Sequence, residues 1–340
     1  PQALLIAVAV LIITCPCALG LAVPAAHVVI AGALMRQGVL VKDGSALERL
    51  AEADHVVFDK TGTLTLGEPR PTDLDQLSPR EKSIALALAQ SSRHPLSRGL
   101  GAALRAEQVV PTVLDGIAEH AGEGLSASAG PCPVALMRPR IAHGERPACE
   151  LRVGEKHIVI DFIDPLRADV EATLQSLAAM GLAATILSGD AAGPVGTVAK
   201  QLRLQFVAGV QPAGKLAFLE ELASGGKRVL MVGDGLNDGP ALAAAHVSMA
   251  PASASDVSRQ AADVVFLGES LFPVAQAVRA ARRTMRAVRQ NFTLAVSYNL
   301  IAVPLAVAGF VTPLIAALAM SLSSLLVVGN SLRLARGARP

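Results

Sequence analysis

Three aspartates and two cysteines stand where their types and spacing could do chemistry. Asp59 lies in FDKTGTLT (Phe58 to Thr65), where Lys60, Thr61, Gly62 and Thr63 follow the carboxylate. That order supplies a nucleophile and then a turn rich in backbone N–H groups and hydroxyls that can hold a phosphoryl group. A carboxylate attacks phosphate usefully only when a cation neutralises the charge. A second carboxylate should therefore share a Mg2+ ion, which is hard and takes oxygen ligands together with the substrate's phosphate. Asp234, in VGDGLND, is the candidate, and a third aspartate, Asp190, closes AATILSGD. Elsewhere TCPCALG (Thr14 to Gly20) sets Cys15 and Cys17 around Pro16. On an ideal helix these two would project about 200° apart and could not share one ion. Pro16 lacks an N–H, frees the carbonyl of Ile12 and breaks the winding, so both sulfurs can turn toward a common centre. Thiolates are soft and favour Cu(I) or Zn2+ over Mg2+, Ca2+ or alkali ions. The plainer reading is a kinked apolar helix with cysteines as packing residues.

These groups need elements to hold them. The chain has 340 residues, enough for two or three domains, and is 52% hydrophobic with only 17% charged residues, too apolar for an ordinary soluble protein. A net charge of +2 and the absence of a long basic run argue against nucleic acid as a partner. Four cysteines, two of them in apolar sequence and Cys132 and Cys149 far apart in polar sequence, make no disulfide framework. Ala3 to Met35 exceeds the roughly 20 apolar residues of one membrane span. Asn291 to Leu332 carries no charged residue, and Gly309 to Pro313 divides it into a helical hairpin. Arg282, Arg283, Arg286 and Arg289 precede the hairpin and Arg333, Arg336 and Arg339 follow it, which predicts cytoplasmic ends and a cytoplasmic central region.

That region alternates compact strands with amphipathic helices. HVVFD (His55 to Asp59), AATILSGD (Ala183 to Asp190), KRVLMVGD (Lys227 to Asp234) and ADVVFL (Ala262 to Leu267) are the strands; Arg167 to Met180 and Gly214 to Ala223 are helical. The alternation predicts an α/β fold with a parallel sheet and crossover helices. Ligands bind at the carboxyl ends of such strands, so Asp59, Asp190 and Asp234 should meet at one edge.

DKTGTLT, LSGD and GDGLND in this order resemble the phosphorylation domain of the P-type ATPases. The resemblance implies a haloacid-dehalogenase-like (HAD-like) phosphorylation domain in two parts, 36–67 and 162–289, around an inserted α+β nucleotide-binding domain, 68–161. Transmembrane segments at 1–35 and 290–332 and a cytoplasmic tail at 333–340 complete the expected organisation. It implies that Asp59 accepts phosphate with Lys60 beside it, and that Thr61 helps bind Mg2+ and phosphate. Ser188, Gly189 and Asp190 stand where the family usually has Thr-Gly-Asp, the serine keeping the hydroxyl. Lys215 would neutralise the transferred phosphoryl, Asp234 would hold Mg2+, and Asn237 and Asp238 would complete the network on the phosphate side. Asp164 and Arg167, in DPLR, resemble a hinge motif that touches nucleotide. In SRHPL and HAGEG, His94 with Pro95 would meet the adenine of ATP, and Gly122 and Gly124 would let the ligand approach the backbone. Ala89 and Met137 depart from the pattern of the copper pumps in this insertion.

Cys-Pro-Cys in this place resembles the heavy-metal branch of the family without separating copper from zinc. The zinc branch typically carries a lysine and an aspartate in the later helices, and this hairpin has neither. It has Tyr298 and Asn299, and Met320, Ser323 and Ser324 at i, i+3 and i+4 on one helix face. The resemblance implies that Tyr298, Asn299, Met320 and Ser324 join Cys15 and Cys17 around transported Cu(I), with Ag(I) as a mimic and a copper chaperone as supplier. SRHPL, LSGD and HVVI are most similar to bacterial pumps that serve respiratory oxidase assembly, so the expected setting is a bacterial inner membrane and its lipid. The family's earlier spans, its actuator domain and any N-terminal metal-binding domain are not in the sequence. It is expected to be a C-terminal portion that binds nucleotide and accepts phosphate without completing a transport cycle. A zinc or cadmium pump, a membrane-tethered phosphatase of the same fold and a non-transporting copper-binding protein are the alternatives.

Overall fold

The computed structural model describes residues 2–15, 17–92, 94–120, 122–139, 146–234 and 238–337, so Pro16, Asn237 and Arg339 lie outside the described residues. The first apolar stretch forms two helices and not one. Helix α1 (Gln2–Ile13) stops before Thr14 and Cys15, and α2 (Cys17–Met35) follows. Ala9 and Ile13 of α1 pack on Ala306 and Ala316, while Ala22 of α2 packs on Ala295 and Val327. The two pieces thus run along different levels of the same later helices.

A short strand β1 (Val39–Val41) leads to α3 (Gly44–Glu52), whose N-terminus is capped by Asp43 accepting from Ala46 N at 2.9 Å. Strand β2 (His55–Phe58) then enters the core and delivers Asp59. The chain departs into a second unit made of β3 (Arg70–Pro71), α4 (Pro79–Gln90), α5 (Pro95–Ala106), β4 (Asp115–His120), β5 (Gly124–Ala129), β6 (Cys132–Met137), β7 (Ala148–Val153) and β8 (Lys156–Ile163). Its six strands form an antiparallel sheet in the order β3-β8-β7-β6-β5-β4. Leu86 and Leu88 of α4 and Leu100 and Leu104 of α5 share a core with Leu151, Ile160 and Phe162, so this unit buries its own apolar face.

Returning, the chain builds α6 (Val170–Ala179), β9 (Ala183–Leu187), α7 (Ala192–Leu202), β10 (Gln205–Val207), α8 (Pro212–Ser224), β11 (Val229–Val232), α9 (Gly239–Ala244), β12 (Val247–Pro251), α10 (Asp256–Ala261) and β13 (Val264–Phe266). The main sheet has the order β1-β13-β12-β11-β2-β9-β10, parallel throughout except where β1 runs against β13. All four expected strands are present. The three others, β1, β10 and β12, are short or carry serine and proline, and tertiary pairing rather than pattern makes them strands. Strand β2 lies between β11 and β9, with Phe58 level with Val232 and Ile186. That adjacency brings Asp59, Asp234 and Asp190 to one edge, as the parallel sheet predicts.

The last two helices, α11 (Phe272–Val307) and α12 (Pro313–Gly337), are both long and apolar enough to cross a membrane. The expected hairpin is present with one difference. Its first helix starts before the charge-free stretch, at Phe272, and runs as 36 residues to Val307. Val274, Ala275, Val278 and Ala281 bury one face of its first half in the main core, and its arginines take the other side. Asp169 fixes its start, accepting from Leu271 N at 3.0 Å and Phe272 N at 2.8 Å. Arg282 donates to the carbonyls of Met180 and Ala53, which ties the same helix to the ends of α6 and α3.

Candidate functional site

Beyond Phe58 the backbone makes a tight turn over Lys60–Leu64, closed by Thr65 N donating to Lys60 O at 3.1 Å. Gly62 is required here. Its φ is +76°, and a Cβ added to it would fall 1.7 Å from Asp234 Oδ2. The turn therefore presses against the neighbouring strand's carboxylate because residue 62 has no side chain. Arg167, itself buried, holds the turn from behind by donating to the carbonyls of Thr63 at 2.8 Å and of Gly62 and Glu269 at 2.6 Å each.

Within this frame the charges interlock. Lys215 Nζ, from α8, donates to Asp59 Oδ1 at 2.5 Å and Asp238 Oδ1 at 2.6 Å, with all three residues buried. Lys60 pairs with Asp190, which also accepts from Thr61 Oγ1 at 3.1 Å. The Ser188 hydroxyl accepts from Asp190 N at 3.2 Å and so shapes the loop through Gly189. Oxygens of Asp59, Asp234 and Asp238 all lie within 4.8 Å of one another. Burial, then the charge of Asp238, pushes the Asp59 carboxyl up to about 7 against the pull of Lys215. Burial and Asp238 likewise push Asp234 up to about 7, against Arg167 and Lys215. Burial works against the Lys215 ammonium, yet Asp59 and Asp238 together hold its pKa above the ordinary lysine value. Three carboxylates facing one lysine form an oxygen-only donor set still short of positive charge, which fits a hard divalent cation.

Most residues expected at this edge are therefore there: Asp59, Lys60, Thr61, Ser188, Gly189, Asp190, Lys215, Asp234 and Asp238. Asn237 lies outside the described residues. Thr65 belongs with them although its motif alone did not single it out. Its hydroxyl accepts from Gly62 N at 3.1 Å and donates to Asp164 Oδ2 at 2.6 Å.

Asp164 and Arg167 sit behind the Lys60–Leu64 turn and not among the residues lining the second unit's cavity. Asp164 accepts from Gly67 N at 3.1 Å, and Leu66 N donates to Pro165 O at 2.9 Å, so the two chains that join the units are stitched side by side. Burial raises the Asp164 carboxyl, opposed first by its bond from Thr65.

The second unit holds a cavity of about 160 Å³, below the ~300 Å³ at which pockets for whole drug-sized ligands begin. His94, Gly122 and Gly124 line it, and Pro95 opens α5 behind His94. His94 Nδ1 accepts from Leu96 N at 3.3 Å, which leaves Nε2 for a ligand. The glycines differ in use. A Cβ at Gly122 would meet open space, whereas one at Gly124 would strike Leu136 O at 2.3 Å, so Gly124 serves the approach of β5 to β6. Of the two departures noted in the sequence, Met137 lines the cavity and Ala89 is buried in the core behind it. Glu119 and His120, at the end of β4, also line it.

In the helices, Cys15 and Cys17 are joined as a disulfide, with Cα atoms 5.5 Å apart, against the expectation of two free thiols. Bonded to each other, the sulfurs offer no thiolate; reduction leaves two adjacent thiols at the break between α1 and α2. Tyr298 packs with Ile12 and Ile13, just before that break. Its hydroxyl and Asn299 Oδ1 are buried and have no hydrogen-bond partner among the described residues. On α12, Ala316 joins the same cluster as Tyr298, and about two turns on, the Ser324 hydroxyl donates to Met320 O at 3.2 Å.

The haloacid dehalogenase-like hydrolase family matches residues 53–246. Over its whole length the chain is 49% identical to the nitrogen fixation protein FixI of Rhizobium leguminosarum bv. viciae, covering 46% of that protein. It is 36% identical over 98% of its length to the probable copper-exporting P-type ATPase V of Mycobacterium tuberculosis, again covering 46%. A crystal structure of a zinc-transporting PIB-type ATPase in its E2.Pi state superposes with a TM-score of 0.80 at 31% identity, over 95% of this chain and 57% of that one. The chain thus spans about half the length of the curated relatives it matches.

Proposed function

The chain belongs to the haloacid dehalogenase-like hydrolases, and we propose that within them it is the phosphorylated and cargo-binding part of an ATP-driven heavy-metal pump. The observation that carries this reading is Asp59. It is a buried carboxylate at the carboxyl end of a central strand, held by Lys215 and set against two further carboxylates.

In the proposed reaction an oxygen of Asp59 attacks the terminal phosphorus of ATP. The new oxygen–phosphorus bond forms as the bond to the leaving ADP oxygen breaks, which gives an aspartyl phosphate. Lys215 shifts from bridging Asp59 and Asp238 to neutralising the phosphoryl oxygens, and Lys60 and Thr61 face the same group from the turn. Asp59, Asp234 and Thr61 would hold Mg2+, with Asp238 close by. The ion supplies the charge neutralisation that lets a carboxylate approach a phosphate. Carboxyls raised to about 7 give up protons when such a cation binds, so the metal-loaded site is the reactive one.

His94, Pro95, Gly122 and Gly124 are assigned to the adenosine, in an inserted domain at 68–161. No described residue of the phosphorylation turn lines that cavity, so transfer requires the second unit to swing. The paired connections at Leu66–Gly67 and Asp164–Pro165 are the hinge, with Arg167 bracing the turn at its base. The hinge role carries Asp164 and Arg167 toward nucleotide only when the units close.

For the cargo we assign Cu(I), bound by reduced Cys15 and Cys17 with Tyr298, Asn299, Met320 and Ser324. No charged side chain stands between Asn291 and Leu332 to compensate a divalent ion. Delivery by a copper chaperone and a place in a bacterial inner membrane, soluble units toward the cytoplasm, complete the proposal. The likeness to a zinc-transporting structure makes zinc the competing cargo.

The test is labelling of the complete gene product with [γ-32P]ATP. A base-labile, hydroxylamine-sensitive label is expected, and Asp59→Asn should abolish it. Label that survives Asp59→Asn would remove the nucleophile assignment.

A further inference from the structure

The polar side chains around the second unit's cavity are in different states of use. His120 Nε2 is taken up by Ser126 Oγ at 2.8 Å. His94 spends Nδ1 on Leu96 N at 3.3 Å, which puts the proton of a neutral ring on Nε2 and makes that atom a donor. Glu119 stands near the end of β4, and its Oε1 accepts from the Ser92 hydroxyl at 3.4 Å. Its other carboxylate oxygen takes no hydrogen bond among the described residues.

Ser92 links the donor to the acceptor. The same hydroxyl that donates to Glu119 accepts from His94 N at 3.1 Å, so the segment that opens α5 and the segment that closes β4 are tied together. All three residues line the one cavity. Leu96, Leu125 and Leu136 line it as well and offer apolar contact to the faces of a ring. The cavity therefore combines apolar walls with one donor and one acceptor that a shared hydroxyl holds together.

A ring that suits this set carries an amino group next to a ring nitrogen, the amine for the carboxylate and the nitrogen for His94 Nε2. Adenine has that edge. Guanine puts a carbonyl oxygen where adenine has the amine, and a carboxylate, which only accepts, repels that oxygen instead of bonding it. We propose that Glu119 selects adenine over guanine, by accepting from the exocyclic amine while His94 Nε2 donates to a ring nitrogen. The proposal deepens the assignment of His94, Pro95, Gly122 and Gly124 to the adenosine and rests on it.

The experiment is equilibrium binding of ADP and of GDP to the complete gene product in detergent, since the two share ribose and phosphates and differ only in the base. ADP should bind about tenfold or more tighter than GDP in the parent, and Glu119→Ala should bring the two within about threefold of each other. Glu119→Gln keeps an acceptor and adds a donor, so it should hold ADP within about threefold of the parent while GDP tightens. Glu119 is exposed, so neither change should move the melting temperature. His94→Ala should weaken ADP and separates the proposal from the assignment beneath it. If it does so while Glu119→Ala leaves the ratio of ADP to GDP unchanged, selection by Glu119 is overturned and the adenosine site stands. ADP binding unchanged in His94→Ala removes the adenosine assignment and the proposal with it. An equal tightening of ADP and GDP in Glu119→Ala and Glu119→Gln would mean that the carboxylate only repels the phosphates, which also overturns the proposal.

Discussion

The edge of the main sheet and the break between α1 and α2 both gather chemistry-bearing side chains, but they are held in opposite ways. At the sheet edge each group is answered by another: Lys215 by Asp59 and Asp238, Lys60 by Asp190, the Lys60–Leu64 turn by Arg167. In the helices, the Tyr298 hydroxyl and Asn299 Oδ1 are buried without a partner among the described residues, and Cys15 and Cys17 satisfy only each other. A site that transfers phosphate needs its groups fixed before the substrate arrives. A site that must take up and release an ion cannot be finished without it, and unsatisfied polar atoms in an apolar setting are what an incoming ion would relieve.

The contrast breaks most visibly at Gly62. If the sheet edge depends on fixed geometry, Gly62→Ala should be the more damaging of the changes below that spare the nucleophile. The left-handed backbone alone costs a side chain roughly 1–2 kcal/mol, and the methyl would also displace Asp234. The expected outcome is loss of phosphorylation by about a hundredfold or more with a fall in melting temperature. Near-normal labelling in Gly62→Ala would show that the turn is not pressed against Asp234 when it works.

Asp234 sharpens the same contrast through pH. Its folded pKa is raised to about 7 from an ordinary value of 3.8, so between those values the folded protein holds a proton that the unfolded chain has released. Stability from this group is therefore greatest below pH 4 and is lost as pH rises toward 7. In chelator, Asp234→Asn should gain on the parent across that window, by roughly 1–3 kcal/mol at its top, and should lose the stabilisation that Mg2+ gives the parent. Melting curves from pH 5 to 8 with and without Mg2+ decide this; a gap that does not change with pH would remove the raised carboxyl.

Those two residues show what was legible in the sequence. Asp59, Lys60 and Thr61 are contiguous, and the strands that carry Asp59, Asp190 and Asp234 are compact apolar runs. Motif and sheet logic together therefore placed them at one edge. Arg167 was legible as part of a motif but not in its role, because donating to two carbonyls of a turn a hundred residues before it and to that of Glu269 a hundred residues after it depends on tertiary packing. Strand β12 was missed because VSMAP has no strand pattern of its own and is extended between two buried neighbours. The charge-free stretch from Asn291 gave no sign that α11 begins nineteen residues earlier. The loss of charge begins at Asn291, but an amphipathic helix can run into an apolar one without a break. Cargo residues were legible only through resemblance, since Tyr298, Met320 and Ser324 each have an ordinary packing explanation on their own helix.

The smallest effect on stability is expected at Tyr298. Its hydroxyl is buried and unbonded among the described residues, so Tyr298→Phe removes a polar group that stabilises nothing and should leave the melting temperature unchanged or slightly higher. If the hydroxyl serves the cargo, metal-stimulated phosphorylation should nonetheless fall severalfold. A clear drop in melting temperature would mean the hydroxyl is bonded after all and the helix site is as finished as the sheet edge.

The central claim couples the two regions, with a soft monovalent ion at Cys15 and Cys17 permitting phosphate to reach Asp59. It is tested most directly by phosphorylating the complete gene product from [γ-32P]ATP under reducing conditions with Cu(I), Ag(I) or Zn2+, in the parent and in Cys15→Ser with Cys17→Ser. Label that rises with Cu(I) and Ag(I), not with Zn2+, and loses that response without the two thiols is the predicted result. Label that rises with Zn2+ alone, or that responds to Cu(I) equally without the thiols, would contradict it.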